Sequence, residues 1–199
     1  MKKFDLLKVI AEKGYDVGFG AKKHFATYDI VNKAPNFISV ISISIGIFAL
    51  FIDTLSSKHI SAILIVVGIF SLVISFYDEK KEEYLKVGTK STQLYNQLKE
   101  LYYKVNKKDI DDDFSENIAQ LDEIQNEFYE ISLGKQILLS DWYAHYKFFW
   151  QHQISWLEEQ LKFSFWRDKV PLSFLFIGIL LFLITCCGLI LFVLNKGWL

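Results

Sequence analysis

The chain has 199 residues, of which 52% are hydrophobic and 17% are aromatic, and its formal net charge is −1. A net charge this close to zero produces no global field that would recruit nucleic acid, so direct nucleic-acid binding is not expected. The two cysteines, Cys186 and Cys187, are neighbours in one apolar run, which excludes a disulfide framework and a zinc site built on cysteine. We interpret them as small packing residues, with oxidation or palmitoylation as the alternative.

Residues 1–36 are predicted to be a cytoplasmic, amphipathic lead-in. Charges recur from the second residue onward, which excludes the apolar stretch of a cleavable signal peptide. We expect a short helix over residues 2–13, a break at Gly14 and again near Gly18, and a second helix over residues 21–32. The second helix either lies along the inner surface of a membrane or packs against the segment that follows it.

Two apolar runs joined by a short polar loop form the strongest pattern in the chain, in residues 37–77. The runs cover residues 37–52 and 60–77, and neither contains a charged residue. Helices of this length would be roughly 24–27 Å long, close to the ~30 Å hydrocarbon core of a bilayer. The pattern predicts a transmembrane helical hairpin that begins at Pro35, with core elements of a soluble domain as the alternative. A third apolar run, residues 170–194, favours the membrane interpretation.

The distribution of lysine and arginine predicts the orientation of these segments. Seven of these residues precede the hairpin and thirteen lie in residues 78–169, whereas residues 53–59 and 195–199 contain one each. Cytoplasmic segments carry the excess of positive charge. The N-terminus and a helical segment of residues 78–169 are therefore predicted to be cytoplasmic. Residues 170–199 would then supply a third transmembrane helix and a short outer tail.

Small or polar residues form a stripe along each run of the hairpin. Such residues allow helix backbones to approach closely in lipid, where no hydrophobic force joins helices. The stripes are either packing faces, within the hairpin or between copies, or the lining of a pore in an oligomer, with Asp53 at its mouth. Their members are Ser39, Ser42, Gly46, Ala49 and Asp53 in the first run and Ser61, Gly68, Ser71 and Ser75 in the second.

A heptad pattern follows the hairpin and predicts a long cytoplasmic helix. Its apolar positions alternate steps of 3 and 4 over about three repeats, as in a coiled coil. This seam requires a partner, which is either a second copy of the chain or the next helix, at about residues 114–131. The seam consists of Tyr84, Val87, Ser91, Leu94, Leu98, Leu101 and Val105.

Ser140 is predicted to begin a further helix that carries a cluster of aromatic residues as far as position 166. Its end is expected to meet the membrane, because Trp and Tyr favour the headgroup layer. The rest of this face either packs against other helices or binds a ligand. His145 and His152 lack a third metal ligand and are interpreted as packing or surface residues. No phosphate loop, nucleophile elbow or metal cluster is recognisable, so we predict a non-enzyme without catalytic residues, cofactor or metal.

Residues 21–105 resemble the SLATT family of two-span effector domains. The resemblance rests on the amphipathic lead-in, the span led by Pro35, the tight loop, the second span and the run YLKVGTKSTQLY from Tyr84. It implies a membrane effector of a bacterial defence system that oligomerises and permeabilises or depolarises the inner membrane, with a non-pore anchor as the alternative. It also implies a cytoplasmic partner, which would be a nucleotide synthase, a nucleotide sensor or a reverse transcriptase.

The predicted protein is thus all-α. It has a transmembrane hairpin, a cytoplasmic helical segment and a third transmembrane helix that lies outside the two-span pattern of the family.

Overall fold

The computed structural model describes residues 1–196, with side chains as far as Gly188. All regular secondary structure in this range is helical. The helices belong to two units, Met1–Leu161 and a second that begins at Lys162. The α-helices are α1 (Lys3–Phe48), α2 (Lys58–Ser75), α3 (Lys81–Lys107), α4 (Ser115–Ile131), α5 (Ser140–Gln151), α6 (Ser155–Leu161) and α7 (Leu172–Lys196), with short 3-10 helices at Asp53–Ser56 and Asp78–Lys80 and a π-helical turn at Phe165–Lys169.

Helix α1 is continuous over 46 residues, so the predicted break at Gly14 and Gly18 is wrong. Both glycines face the interior of the first unit. A Cβ at residue 14 would lie 2.4 Å from Cη2 of Trp156, and one at residue 18 would lie 2.7 Å from the ring of Tyr95. Each glycine costs the helix about 1 kcal/mol, which the close packing offsets. Pro35 also lies inside α1 rather than at the start of a new helix.

The first part of α1 packs with α3, α4, α5 and α6 in a bundle that we call the helical unit, and residues 21–32 lie inside it. Ala21, His24, Ala26, Thr27 and Val31 are all buried there. Residues 21–32 therefore pack, as the second predicted alternative has it, but they do so against α3, α5 and residues 133–136 rather than against the hairpin.

The heptad seam of α3 is buried within the chain. The helix packs mainly against α1 and also contacts α4. The next helix, one of the two partners expected for the seam, therefore covers only a part of it. An assembly of copies through this face would require α1 to leave it. Six of the seam positions, Tyr84, Ser91, Leu94, Leu98, Leu101 and Val105, are buried, and Val87 is half-buried.

The single aromatic helix predicted from Ser140 to position 166 is divided. Helix α5 ends at Gln151, His152 has an extended backbone, and α6 begins at Ser155. Trp156 of α6 is fully buried, and its indole Nε1 donates to the Tyr95 hydroxyl at 2.8 Å. Phe148, Phe149 and Trp156 of α5 and α6 therefore belong to the core of the first unit.

The second unit contains the π-helical turn and α7. Trp166 is exposed just before α7, and the described apolar side chains of α7 are largely exposed as well. Cys186 is half-buried and Cys187 is exposed, both as free thiols. The helix of the predicted third span is thus formed, while its crossing of a membrane stays a prediction. In the predicted outer tail of residues 195–199, residues 197–199 lie outside the described residues.

Candidate functional site

Two helices expose a continuous apolar surface, which would be unfavourable in water. The second part of α1 and the whole of α2 are long and apolar enough to cross a membrane, and α2 has no buried residue. Val40 is 65% exposed, Ile65 is 65% exposed and Phe51 is 80% exposed. Soluble proteins rarely expose a contiguous apolar patch of this kind. The surface indicates that lipid surrounds the hairpin.

The two helices of the hairpin contact each other through a narrow face. Its positions are half-buried and alternate steps of 3 and 4, the spacing of a single helix face. Three residues of the predicted stripes, Ser42, Ala49 and Ser71, belong to it. The half-buried positions that we assign to this face are Ile38, Ser42 and Ile45 on α1, Ala49 directly after it, and Ile60, Leu64, Val67, Ser71 and Ile74 on α2.

The other stripe residues lie outside this contact. A Cβ added at Gly46 or at Gly68 would meet nothing within 4 Å, so neither glycine serves packing within the chain. The predicted stripes are therefore divided between an internal face and an outward one. The exposed members are Ser39, Gly46, Asp53, Ser61, Gly68 and Ser75.

Three outward serine hydroxyls of the hairpin donate to backbone carbonyls three or four residues earlier. Ser39 Oγ donates to the Pro35 carbonyl at 2.8 Å, Ser61 Oγ to the Ser57 carbonyl at 3.3 Å and Ser75 Oγ to the Leu72 carbonyl at 2.7 Å. These bonds remove the cost of placing an unpaired hydroxyl in lipid.

Four side chains hold the segment between α4 and α5: two from α1, one from α3 and one from the end of the second apolar run. Residues 132–139 have no regular structure. His24 Nε2 accepts from the Leu133 N–H at 3.2 Å, Thr27 Oγ1 donates to Gln136 Oε1 at 2.5 Å and the Tyr84 hydroxyl donates to the Lys135 carbonyl at 2.6 Å. A fourth bond, at 3.5 Å, joins the hydroxyl of Tyr77 to the Gln136 carbonyl. We call residues 132–139 the base loop.

Burial sets the protonation of His24. Its Nδ1 lies 2.7 Å from the Gly20 carbonyl, so the neutral ring with its proton on Nδ1 satisfies both of its contacts. Burial lowers the pKa of His24, although its two backbone hydrogen bonds act in the opposite direction. Sequence reasoning assigned no role to this histidine. Its one signal was a polar ring among the apolar positions of α1.

The two histidines considered as metal ligands lie among aromatic rings instead. The His145 ring lies 4.9 Å from that of Phe19, and the His152 ring lies 5.0 Å from that of Tyr95. Burial lowers the pKa of both rings, that of His152 to about 4. Their interpretation as packing residues agrees with this placement.

A protein family described as "SMODS and SLOG-associating 2TM effector domain 6" has a sequence model that matches residues 1–178. The match includes the hairpin, both faces described above, the base loop and the start of α7. No curated protein and no solved structure is significantly similar to the chain.

Proposed function

The chain belongs to this SLATT family of two-transmembrane effector domains, and we propose that it permeabilises or depolarises the bacterial inner membrane as a self-assembled effector of an antiviral defence system. Family membership supports a membrane effector in defence. Assembly and permeabilisation are the parts that we add. The observation that supports both is the outward face of the hairpin, where Gly46 and Gly68 have no neighbouring atom within 4 Å of an added Cβ.

The outward face fits another copy of the hairpin better than it fits lipid alone. Gly46 and Gly68 leave open space at the surface of each helix. Such small residues let two backbones approach closely, which increases van der Waals contact and frees lipid from the interface. Two helices enclose no lumen of their own. Passage of ions through protein would therefore require several hairpins around an axis.

Polar groups on the same face give such an assembly its lining. The hydroxyls of Ser39 and Ser75 are exposed, as is the carboxylate of Asp53 at the start of the loop between the two helices. A ring of hydroxyl groups with carboxylates at one mouth favours cations weakly and closes by dewetting when narrow. These are properties of an opening that leaks rather than of a selective filter.

The proposed orientation places the N-terminus and helices α3 to α6 in the cytoplasm. The loop around Asp53 and the C-terminus would lie outside, with α7 as a third span. This arrangement follows the excess of lysine and arginine in the cytoplasmic segments. The trigger, a nucleotide synthase, a nucleotide sensor or a reverse transcriptase, would then act on the helical unit that contains the first part of α1. Because α1 is continuous, a shift at the cytoplasmic end would reach the membrane directly.

The test replaces the free glycines with a bulky residue. Gly46→Leu with Gly68→Leu should abolish cross-linked oligomers in lipid and loss of membrane potential in cells that express the chain with its neighbouring genes. Ile47→Leu is the matched control, since it places leucine at an exposed apolar position of the same helix. Full depolarisation by the double variant, or none by the wild type under full activation, would contradict the proposal.

The second candidate is a membrane anchor that holds a cytoplasmic partner without forming a pore. Most of the buried core lies in the helical unit outside the hairpin. Such a core favours a rigid domain that could hold a partner at the membrane surface. An anchor would retain its partner after the glycine substitutions, and its wild type would leave the membrane potential unchanged. The same experiment therefore separates the two functions.

A further inference from the structure

A cavity of about 330 Å³ lies between α1, α3 and α5, well away from the hairpin contact. Three of its walls differ in chemistry. Phe25 and Leu85 make an apolar wall, two lysines supply positive charge, and a phenol and an amide supply neutral hydrogen-bonding groups. It is lined by Lys22, Phe25, Tyr28, Asp29, Leu85, Lys147 and Gln151.

The one acidic side chain in the cavity wall is already engaged. Asp29 Oδ1 accepts from Lys33 Nζ at 2.6 Å, and Oδ2 accepts from Lys147 Nζ. Burial alone would raise the pKa of Asp29, but these hydrogen bonds outweigh it and hold the pKa below its ordinary value. The carboxylate is therefore ionised, and each of its oxygens accepts from one lysine. Its single negative charge is already shared by two positive charges, so it cannot balance a third.

Lys22 is that third lysine. Lys22 is half-buried, and it forms no ion pair with the described residues. Burial lowers the pKa of Lys22, and the positive charge of Lys147 lowers it further. Three lysines face one carboxylate, so two positive charges in and beside the cavity are unbalanced. A half-buried cation beside another cation is costly unless an anion joins them.

We propose that this cavity binds a phosphate-bearing anion, held by the ammonium groups of Lys22 and Lys147 and by the hydroxyl of Tyr28 and the amide of Gln151. Phosphate oxygens accept several charge-assisted hydrogen bonds at once, which suits two lysines that share one cavity. Phe25 and Leu85 would contact the remainder of the bound molecule. Nothing in this inference depends on a pore, so it extends beyond the proposed function.

The phosphate could belong to a soluble compound or to a lipid headgroup. Lys22 lies fifteen residues before Phe37, where the apolar run begins, and this corresponds to roughly 22 Å along α1. A lipid headgroup would have to leave the bilayer surface to reach it. We therefore infer a soluble phosphate compound, and the experiment includes both sources.

Thermal unfolding of the full-length protein in detergent tests the site, with inorganic phosphate and pyrophosphate as probes and sodium chloride at matched ionic strength as the reference. Both probes should raise the Tm of the wild type. In Lys22→Met, the phosphate concentration needed for a given rise in Tm should increase about tenfold or more, because the substitution removes a charged hydrogen-bond donor. Lys104→Met, the same change at an exposed position of α3, should respond as the wild type does.

Two further readouts keep the inference falsifiable. Without phosphate, Lys22→Met and Lys22→Gln should have a Tm no lower than that of the wild type, since an unpaired half-buried charge has been removed. In nanodiscs, phosphatidylglycerol in place of phosphatidylcholine should not reproduce the effect of soluble phosphate. If phosphatidylglycerol does raise the Tm of the wild type but not that of Lys22→Met, the binding site is supported and its phosphate comes from a lipid headgroup. Equal responses of the wild type and Lys22→Met, or no response in either lipid or phosphate, would overturn the site.

Discussion

Gly14→Ala is the sharpest test of how α1 packs. The added methyl carbon would lie 2.4 Å from Cη2 of Trp156 and 3.0 Å from Cδ2 of Leu157, whereas carbon atoms in contact are about 3.5–4.0 Å apart. The indole cannot move aside freely, because it is fully buried and its Nε1 donates to the hydroxyl of Tyr95. Overpacking costs about 1–3 kcal/mol in general, and a contact of 2.4 Å with a fully buried ring places Gly14→Ala in the upper part of that range, at about 2–3 kcal/mol. The better helix propensity of alanine returns about 1 kcal/mol.

The expected net loss in the free energy of unfolding is about 1–2 kcal/mol, which lowers the Tm by about 2–8 °C for a unit of this size. Tryptophan fluorescence of the full chain in detergent reports the transition, since Trp156 lies at the affected contact. Gly46→Ala is the matched control, because nothing lies within 4 Å of its added Cβ. If the two variants unfolded at the same temperature, the continuous packing of α1 against α6 would be refuted.

Three further predictions concern the helical unit. Ser91→Ala should raise the free energy of unfolding by about 1 kcal/mol, since the buried Ser91 hydroxyl has no hydrogen-bond partner among the described residues; a fall would show that it has one. Tyr84→Phe removes the bond to the Lys135 carbonyl, so hydrogen exchange should accelerate in the base loop and remain unchanged in α4. Burial lowers the pKa of His24 and that of His152, so below about pH 6.5 the unfolded chain binds more protons than the folded chain does. The free energy of unfolding is therefore highest above that pH and should fall from about pH 7 to pH 5. The fall should be smaller in His152→Asn. A Tm that stays constant over this range would contradict the burial of both rings.

The sequence revealed the hairpin and α3 because their signals are local. An uncharged apolar run and a heptad seam each define a helix without reference to the rest of the chain. The continuity of α1 could not be seen in this way. Glycine is unfavourable in a helix by itself, and only the position of Trp156 against Gly14 explains why it is retained.

Contacts between distant residues account for the remainder. The base loop is held by a bond from Leu133 to His24, 109 residues earlier, and neither residue has a motif around it. The cavity proposed to bind phosphate likewise joins Lys22 to Lys147 across the helical unit. The spacing of small residues along each run is visible in the sequence, but it could not tell which of them face the other helix. That division required the structure, which places Ser42 inward and Gly46 outward.

Labelling of single cysteines tests most directly whether the hairpin crosses the membrane. In a chain with Cys186→Ser and Cys187→Ser, a cysteine is introduced at exposed Ser56, between the two spans, or at exposed Lys104 on α3. A membrane-impermeant maleimide applied to intact spheroplasts should modify the Ser56→Cys variant, and it should modify the Lys104→Cys variant only after lysis. Modification of both variants, or of the Lys104→Cys variant alone, would contradict a hairpin that spans the bilayer with its helical unit in the cytoplasm.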